Sequence, residues 1–326
     1  MVAVTILALE TALATSVAIT IDVLAMANRC CHNVGRPSAF EVRLRGSGAH
    51  LFRPFLAFPE ATHETPEIMI VPAQGFSKAD NYLDRLAMDD ARAARDEIAV
   101  AAGRGASVAS SCTATLLVAS TGLLDGRRAT TAWWLAPTFR TLFPSVLLDT
   151  SELVLRDGLF VTAGAAMAQM DLMVGLVARY AGGTIADACT RKMILDERRS
   201  QTPYLAMGLL AAGNEHVARA AEWARDRLGD QIAVSDLSMA AGLTERTFAR
   251  RVVAATGMPP VQFLQQLRIE RAVEMLETTQ LPFEEIAYRV GYSDASTLRG
   301  LLRRRLGVGP RNIRARARAA NGHAWG

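Results

Sequence analysis

Cysteine is scarce in this sequence. Only Cys30, Cys31, Cys112 and Cys189 occur among 326 residues, and they form neither a C-x-x-C pair nor a zinc-ligand spacing. This usage excludes a disulfide framework, and we predict no metal and no cofactor. A reducing, cytoplasmic compartment fits it best.

The residue pattern of a signal peptide is also missing from the first residues. The first residues are apolar, but no basic segment precedes them, and Glu10 and Asp22 interrupt the run. A signal peptide begins with basic residues, and a membrane span needs about 20 predominantly apolar ones. We therefore predict a buried strand and helix at the N-terminus, and no membrane partner.

Lysine is missing from residues 209–326, which hold 17 arginines against 12 acidic residues and so carry a net charge of +5. Within residues 289–318, nine arginines stand against a single acid, Asp294. A basic block confined to one end of a chain indicates a polyanionic partner for that end. A solvated, solubilising tail is the alternative, and charge alone does not separate the two.

The basic region contains an internal repeat. Residues 242–257 read GLTERTFARRVVAATG, and residues 291–307 read GYSDASTLRGLLRRRLG. The first glycines of the two copies are 49 residues apart and the last are 50 apart, so the second copy carries one inserted residue. A repeat of this size predicts one supersecondary unit used twice.

The first copy has the pattern of a helix-turn-helix unit. Ser235 is the expected N-cap of a short helix, which Gly242 ends because glycine tolerates positive φ. Thr244 is the expected cap of a second helix. The positions expected to face inward are Leu237, Met239, Ala240, Phe248, Val252 and Val253. Polar and basic residues remain for the exposed face of the second helix, which in such units lies in the major groove of DNA.

The second copy repeats this arrangement. Gly291 turns the chain after a helix FEEIAYRV, and Ser293 or Asp294 is the expected cap of the next helix. The positions expected to face inward are Leu298, Leu301 and Leu302. Residues 259–277 predict a long amphipathic helix between the copies, which would hold the two reading helices about one DNA turn, roughly 34 Å, apart.

Three motifs stand out here: GLTERTFARR…TGMPP, LRIERAVEML and FEEIAYRVGY…LRRRLGVGP. With them, about 110 residues resemble the DNA-binding domain of the AraC/XylS family of transcription regulators. The resemblance implies double-stranded DNA, RNA polymerase and a second copy of the chain as partners. It assigns base reading to Arg246, Thr247, Arg250, Ser296 and Arg299, and phosphate contacts to Arg251, Arg303 and Arg304. Gly300 stands where the family usually has a second arginine, so the second unit is expected to read DNA weakly or to rely on backbone contacts.

Residues 1–195 alternate between short apolar runs and helical patterns. Strands are expected at VAVTILAL, FEVRLRG, EIMIVPAQG and ASVASS, and helices at 17–28, 79–103, 113–121, 132–142 and 164–181. SELVLRDGLFVTAG predicts a hairpin with Asp157-Gly158 as its turn. This order predicts an α/β fold with an open, mostly parallel sheet and helices on both faces, followed by an all-α double helix-turn-helix domain.

The main motif of this half is SSCTATLLVASTGLLDGRRATTAWW, with VPAQG upstream of it. It resembles the class I glutamine amidotransferase-like fold of the PfpI superfamily, in the version fused to AraC domains (GlxA-type regulators). The resemblance places Cys112 at the nucleophile elbow. Because ligands of open α/β sheets bind beyond the carboxyl ends of the strands, the ligand-pocket candidates are Ala73, Gln74, Gly75, Cys112 and Thr113.

Cys112 leaves alternatives open. A helix N-terminus can favour a thiolate, so Cys112 is a candidate nucleophile of an amidase or hydrolase, or a redox sensor. Against catalysis, Thr113 and Ala132 stand where related chains often have histidine, and the five histidines lie outside these motifs. We therefore predict no catalytic residue, and a domain that senses a small-molecule effector or mediates dimerisation.

The boundary between the two halves is expected near residues 200–210, in a polar stretch that contains Pro203. The predicted domains are 1–200 for sensing or dimerisation and 209–318 for DNA binding, with a tail at 319–326. Together they predict a cytoplasmic, homodimeric regulator that binds specific DNA sequences.

Overall fold

The computed structural model describes residues 1–75, 82–195, 198, 200, 201 and 206–315. The chain divides into two compact units, Met1–Gln201 and Thr202–Gly326. The tail predicted at 319–326 lies outside the described residues.

The first unit is built on a sheet of six strands. Its strands, with a separate two-stranded pair (β5 and β6), are β1 (Val2–Leu7), β2 (Phe40–Arg45), β3 (Ile68–Val71), β4 (Ser107–Ser111), β5 (Arg128–Ala129), β6 (Leu147–Leu148), β7 (Val154–Asp157) and β8 (Phe160–Ala163). The order across the sheet is β2-β1-β3-β4-β8-β7. Strand β7 pairs antiparallel with β8, and the other pairs are parallel. The predicted open, mostly parallel sheet is confirmed.

Helices cover both faces of this sheet. They are α1 (Ala14–Asn33), α2 (Ala49–Phe52), α3 (Tyr82–Ala87), α4 (Asp89–Gly103), α5 (Ala114–Ala119), α6 (Ala136–Leu142), α7 (Gln169–Tyr180) and α8 (Gly183–Lys192). One core joins α1, α7 and α8 to alternate side chains of the strands, such as Val4 and Ile6. A second core joins α4 and α5 to the opposite face through Leu7 and Val71. The alternation follows from the period of two in a strand.

Helix α1 is, among the described residues, the one helix long and apolar enough to cross a membrane by length and composition. Its side chains Ile21, Leu24 and Cys31 are buried in the core that α7 and α8 share. This is the environment of the buried helix that the sequence predicts at the N-terminus.

The predicted hairpin is confirmed as well. Strands β7 and β8 pair antiparallel with Asp157 opposite Phe160. Gly158 lies in the turn with φ +60°, a value that glycine adopts without steric cost.

The second unit is all helical among its described residues. Its helices are α9 (Met207–Ala211), α10 (Glu215–Arg225), α11 (Val234–Ala240), α12 (Glu245–Thr256), α13 (Pro260–Thr278), α14 (Phe283–Arg289) and α15 (Ala295–Leu306), followed by a helix at 310–315. The pairs α11–α12 and α14–α15 are the two helix-turn-helix units, and α13 is the predicted long helix between them. Phe248 and Phe263 are fully buried beneath the first helix-turn-helix unit, and Ile286 and Leu298 are fully buried beneath the second helix-turn-helix unit.

Three predictions about single residues in the first copy are wrong. Ser235 does not cap α11, which begins at Val234; instead the Asp236 carboxylate accepts a hydrogen bond from the Ala233 N–H at 2.8 Å. Met239 is 70% exposed, because two residues along a helix rotate a side chain by about 200° from the buried Leu237. Val253 is 43% exposed, since it lies about 100° around the helix from the buried Val252.

Candidate nucleic-acid interface and ligand site

Helix α12 is fixed at both ends by its own sequence. The Thr247 N–H donates to the Thr244 hydroxyl at 3.4 Å, so Thr244 is the predicted N-cap. Gly257 ends the helix in the left-handed conformation with φ +74°. Phe248 and Val252 are fully buried and set the helix face that points inward.

The four candidate DNA-binding residues of α12 lie in its first two turns, and Arg251, about 60° around the helix from Phe248, borders the buried face. Arg246 and Arg250 are exposed, and Thr247 and Arg251 are half-buried. Neither Arg246 nor Arg250 forms an ion pair with a carboxylate among the described residues. Both guanidinium groups are therefore available to an external partner.

Helix α15 is built by the same means. The Asp294 carboxylate accepts from the Ser296 N–H at 2.9 Å and caps the helix, which settles the choice between Ser293 and Asp294. Gly307 ends the helix with φ +72°. The buried residues are the three that the sequence predicts: Leu298, Leu301 and Leu302.

The candidate readers at the start of α15 already have carboxylate partners. The Ser296 hydroxyl donates a short hydrogen bond to Asp294. The Arg299 guanidinium lies 3.7 Å from the Glu284 carboxylate and 5.1 Å from the centre of the Phe283 ring. Arg299 therefore contacts α14, whereas Arg303 and Arg304 are exposed in the last turn of α15.

The structure places the inserted residue of the second copy in the turn. Both reading helices have 12 residues. Their N-caps (Thr244 and Asp294), first buried residues (Phe248 and Leu298) and terminal glycines (Gly257 and Gly307) are all 50 positions apart. Because the offset is constant along the helix, Ser296 occupies the position of Arg246, Arg299 that of Ala249, and Gly300 that of Arg250.

A basic cavity of about 840 Å³ lies beside the end of α15. Arginines contribute much of its wall: Arg299, Arg303, Arg311 and Arg314. The rest of the wall comes from Phe283 and the acidic Glu284 on α14 and from residues 307–312, where the chain enters the helix at 310–315. The concentration of guanidinium groups suits a phosphate-rich surface.

In the first unit, the ligand-pocket candidates meet at the carboxyl edge of the sheet. The Gln74 N–H donates to the Thr113 hydroxyl at 2.8 Å, and that hydroxyl donates to the Gln74 carbonyl at 2.6 Å. Ala73 accepts from the Leu13 N–H, and the Gly75 N–H donates to Thr11. The edge lies where the strand order reverses between β1 and β3, the position at which open α/β sheets bind ligands.

A buried arginine adjoins this cluster and escaped the sequence interpretation. Arg85 is 6% exposed and donates to both Asp90 carboxylate oxygens, at 2.6 and 2.8 Å. It also donates to the Thr11 hydroxyl at 2.9 Å, and Thr11 donates to the Gln74 side chain. The chain thus satisfies these polar groups by itself, and the space left between them is only about 10 Å³.

Cys112 combines the backbone conformation expected of a nucleophile elbow with a buried thiol. Its φ of +53° is rare for a residue other than glycine. Its side chain is 3% exposed, and burial raises the pKa of the thiol to about 11, against smaller opposing hydrogen bonds from Thr113 and the Ala166 backbone. No histidine or carboxylate is among the described groups that shift this pKa, so the described residues supply no base that acts on the thiol.

This burial predicts that the Cys112 thiol reacts slowly with alkylating reagents. At pH 7.5 a pKa of about 11 leaves roughly 3 in 10,000 thiols ionised, and iodoacetamide reacts with the thiolate. Mass spectrometry of the Cys112 peptide should therefore show little alkylation in the folded protein over the time in which the urea-unfolded chain is fully alkylated. Labelling of folded Cys112 at the rate of the unfolded chain would contradict a protonated thiol.

Larger open space lies elsewhere in the first unit. A cavity of about 870 Å³ is lined by α7, α8 and the residues after them, including Met170, Val174 and Ile194. Asp171 pairs with Arg198 on its wall. No sequence motif indicates this cavity, because most of its lining comes from the outer faces of two helices. Among the described residues, no group of three metal-binding side chains occurs.

Parts of this chain are similar to known proteins. Residues 237–316 match the family model "Helix-turn-helix domain". The HTH-type transcriptional regulator ArgR of Pseudomonas aeruginosa is 25% identical over 207 residues, 63% of this chain and 63% of ArgR. The HTH-type transcriptional activator RhaS of Salmonella dublin is 30% identical over 156 residues, 46% of this chain and 55% of RhaS. A crystal structure of an AraC family transcriptional regulator from Pseudomonas putida covers 59% of this chain and 100% of its own, at 17% identity and a TM-score of 0.43.

The chain thus spans less than two thirds of the length of these curated relatives. The match to the family model contains α12, α15 and the long helix α13 between them. The chain therefore carries a helix-turn-helix domain at residues 237–316, C-terminal to an open α/β unit.

Proposed function

We propose that this protein is a transcription regulator that binds specific DNA sequences through α12 and α15. One observation carries the proposal: two glycine-turned helix-turn-helix units each present the start of their second helix to solvent. The names of the curated relatives, which are HTH-type transcriptional regulators and activators, support it.

In this proposal some residues of α12 and α15 contact bases and others contact phosphates. Arg246, Thr247 and Arg250, in the first two turns, contact base edges, where recognition helices make such contacts. Arg251 lies toward the side of the helix, and Arg303 and Arg304 lie at the far end of α15, so these three contact phosphates. In the second helix-turn-helix unit, Ser296 and Arg299 are the candidates for contacts with base edges.

The first unit acts, in this proposal, as a sensing or dimerising domain without catalysis. The protonated, buried thiol of Cys112 supports the absence of an amidase or hydrolase activity. It also disfavours a peroxide sensor, because peroxide reacts with the thiolate.

The proposal includes a small-molecule effector, for which the first unit offers two sites of very different size. Any molecule that binds at Gln74 and Thr113 has to break their mutual hydrogen bonds, because about 10 Å³ does not hold even one water comfortably. The cavity between α7 and α8, at about 870 Å³, has the size of a metabolite site without such a cost. RNA polymerase and a second copy of the chain are the remaining proposed partners, in the cytoplasm.

Selection from a random double-stranded DNA library tests the proposal, with the full-length protein at two salt concentrations. A regulator enriches a defined sequence, and affinity for that sequence falls with added salt because bound arginines release counterions. Failure to enrich any sequence over many rounds would remove DNA reading from this protein.

Two arginine variants separate base reading from phosphate contact. Arg250→Ala should lower affinity for the selected site by roughly 5- to 150-fold, an effect of about 1–3 kcal/mol, and relax the preference at one position. Arg303→Ala should weaken selected and random DNA alike and reduce the slope of log affinity against log salt by about one. Equal behaviour of both variants on both DNAs would contradict this assignment.

A further inference from the structure

The two reading helices carry their arginines at opposite ends. In α12, Arg246, Arg250 and Arg251 lie in the first two turns, and its last turn has no basic residue. In α15 the last turn holds Arg303, Arg304 and Arg305, and the first two turns hold only Arg299. Recognition helices contact base edges with their N-terminal residues, so α12 has three guanidinium groups where bases are read and α15 has one.

Gly300 leaves a gap on the second helix. It occupies the position that Arg250 has on α12, because the offset between the helices is a constant 50. A Cβ atom built at Gly300 meets no atom within 4 Å. The position therefore has open space in which an arginine would fit, and the chain has no side chain there.

Two other side chains in the first two turns of α15, Ser296 and Arg299, contact carboxylates of the protein itself. Ser296 donates to Asp294, and hydrogen bonds from Ser296 lower the pKa of that carboxyl group. The exposed Arg299 guanidinium lies 3.7 Å from the Glu284 carboxylate and 5.1 Å from the centre of the Phe283 ring. A hydroxyl and a guanidinium that already have acidic partners gain less from a base edge, because those partners must first be displaced.

We infer that the two units divide the contact with DNA: α12 reads bases, whereas α15 and the basic cavity at its end hold the phosphate backbone with little sequence preference. The inference rests on the proposed function and refines it. The DNA site then has one strongly specified segment next to α12. The flank about one helical turn away is contacted at its phosphates and contributes affinity rather than sequence information.

The selected library sequences test this directly. We expect a single conserved segment, with a flank that is required for affinity but free in sequence. Two segments of equal conservation about one turn apart would overturn the inference and leave the proposed function standing. The absence of any enriched sequence would overturn both.

Gly300 variants give a gain-of-function test in the full chain. Gly300→Arg should create a second conserved segment about one turn from the first, with an affinity gain of roughly 5- to 150-fold for DNA that contains it. Gly300→Ala is the matched control, since it gives the same relief from helical glycine without a guanidinium. We expect the selected sequence of the alanine variant to equal that of the parent.

Two results would contradict the division of contacts. One is a Gly300→Arg protein that folds, binds DNA and selects the same sequence as the parent. The other is a second segment that appears in Gly300→Ala to the same extent. Circular dichroism of both variants checks that α15 still forms.

Discussion

Replacing Gly291 by alanine should unfold the second helix-turn-helix unit, at a cost of about 4 kcal/mol or more. Gly291 has φ +82°, which side chains other than glycine adopt at a cost of about 1–2 kcal/mol. Its Cβ would also lie 2.3 Å from the Leu228 carbonyl oxygen and 2.7 Å from the Arg268 guanidinium. A backbone oxygen cannot rotate away, so the turn between α14 and α15 has to shift.

The first copy supplies a matched control. Gly242 lies in the equivalent turn with φ +67°, but its Cβ would meet no atom closer than the Arg219 guanidinium at 3.8 Å. Gly242→Ala should therefore cost only the conformational term of about 1–2 kcal/mol. Hydrogen exchange of peptides from α13, measured in the full-length protein, reports both free energies of opening. Equal costs for the two alanine variants would show that the close approach to Leu228 does not matter.

Much of the structure of the helical unit could be predicted, because the residues that determine its helices lie close together in the sequence. Glycine at a turn, threonine or aspartate at a cap, and a buried residue every three or four positions are properties of short segments. The errors arose where a neighbouring position competes for the same face. Met239 and Val253 are apolar, but the helix rotation places Leu237 and Val252 inward and leaves no room for both.

The strand ends of the first unit were predicted for a similar reason. Parallel strands bring their carboxyl ends to one edge, so Gln74 and Thr113 could be expected to meet. The partner of Arg85 could not, because its bonds to Asp90 and Thr11 depend on how α3 packs at that edge. Likewise, the pairing of Arg299 with Glu284 depends on the angle between α14 and α15, which the helical period does not encode.

The folding stability of the helical unit, residues 206–315, should depend on pH mainly through Glu270, which lies on α13. Its carboxylate accepts a hydrogen bond from the Met207 N–H at 2.8 Å, where α9 begins. Burial raises the pKa of Glu270 from 4.5 to about 7, against smaller opposing effects of the Met207 hydrogen bond, the Arg225 charge and Gln266. The folded state therefore holds the proton more tightly than the unfolded chain does.

The sign of the effect follows from this difference. The contribution of Glu270 to stability is fully present below about pH 4.5 and is lost as the pH rises through about 7. Its size is at most about 3.5 kcal/mol, since each pKa unit corresponds to about 1.4 kcal/mol. Glu270→Gln keeps an oxygen that can accept from Met207 but cannot ionise. We expect the variant to match the parent near pH 4.5 and to exceed its stability by up to that amount at pH 8.

The difference between parent and variant is the decisive quantity, because other titrating groups contribute equally to both proteins and cancel. Hydrogen exchange of α10 and α13 peptides, corrected for the intrinsic rate at each pH, gives this difference. Glu277→Gln is the control on the same helix, because Glu277 is exposed, and its curve should follow the parent at every pH. If Glu270→Gln differed from the parent by the same amount at pH 5 and pH 8, the proton on Glu270 would not be linked to folding, and the variant would act through packing alone.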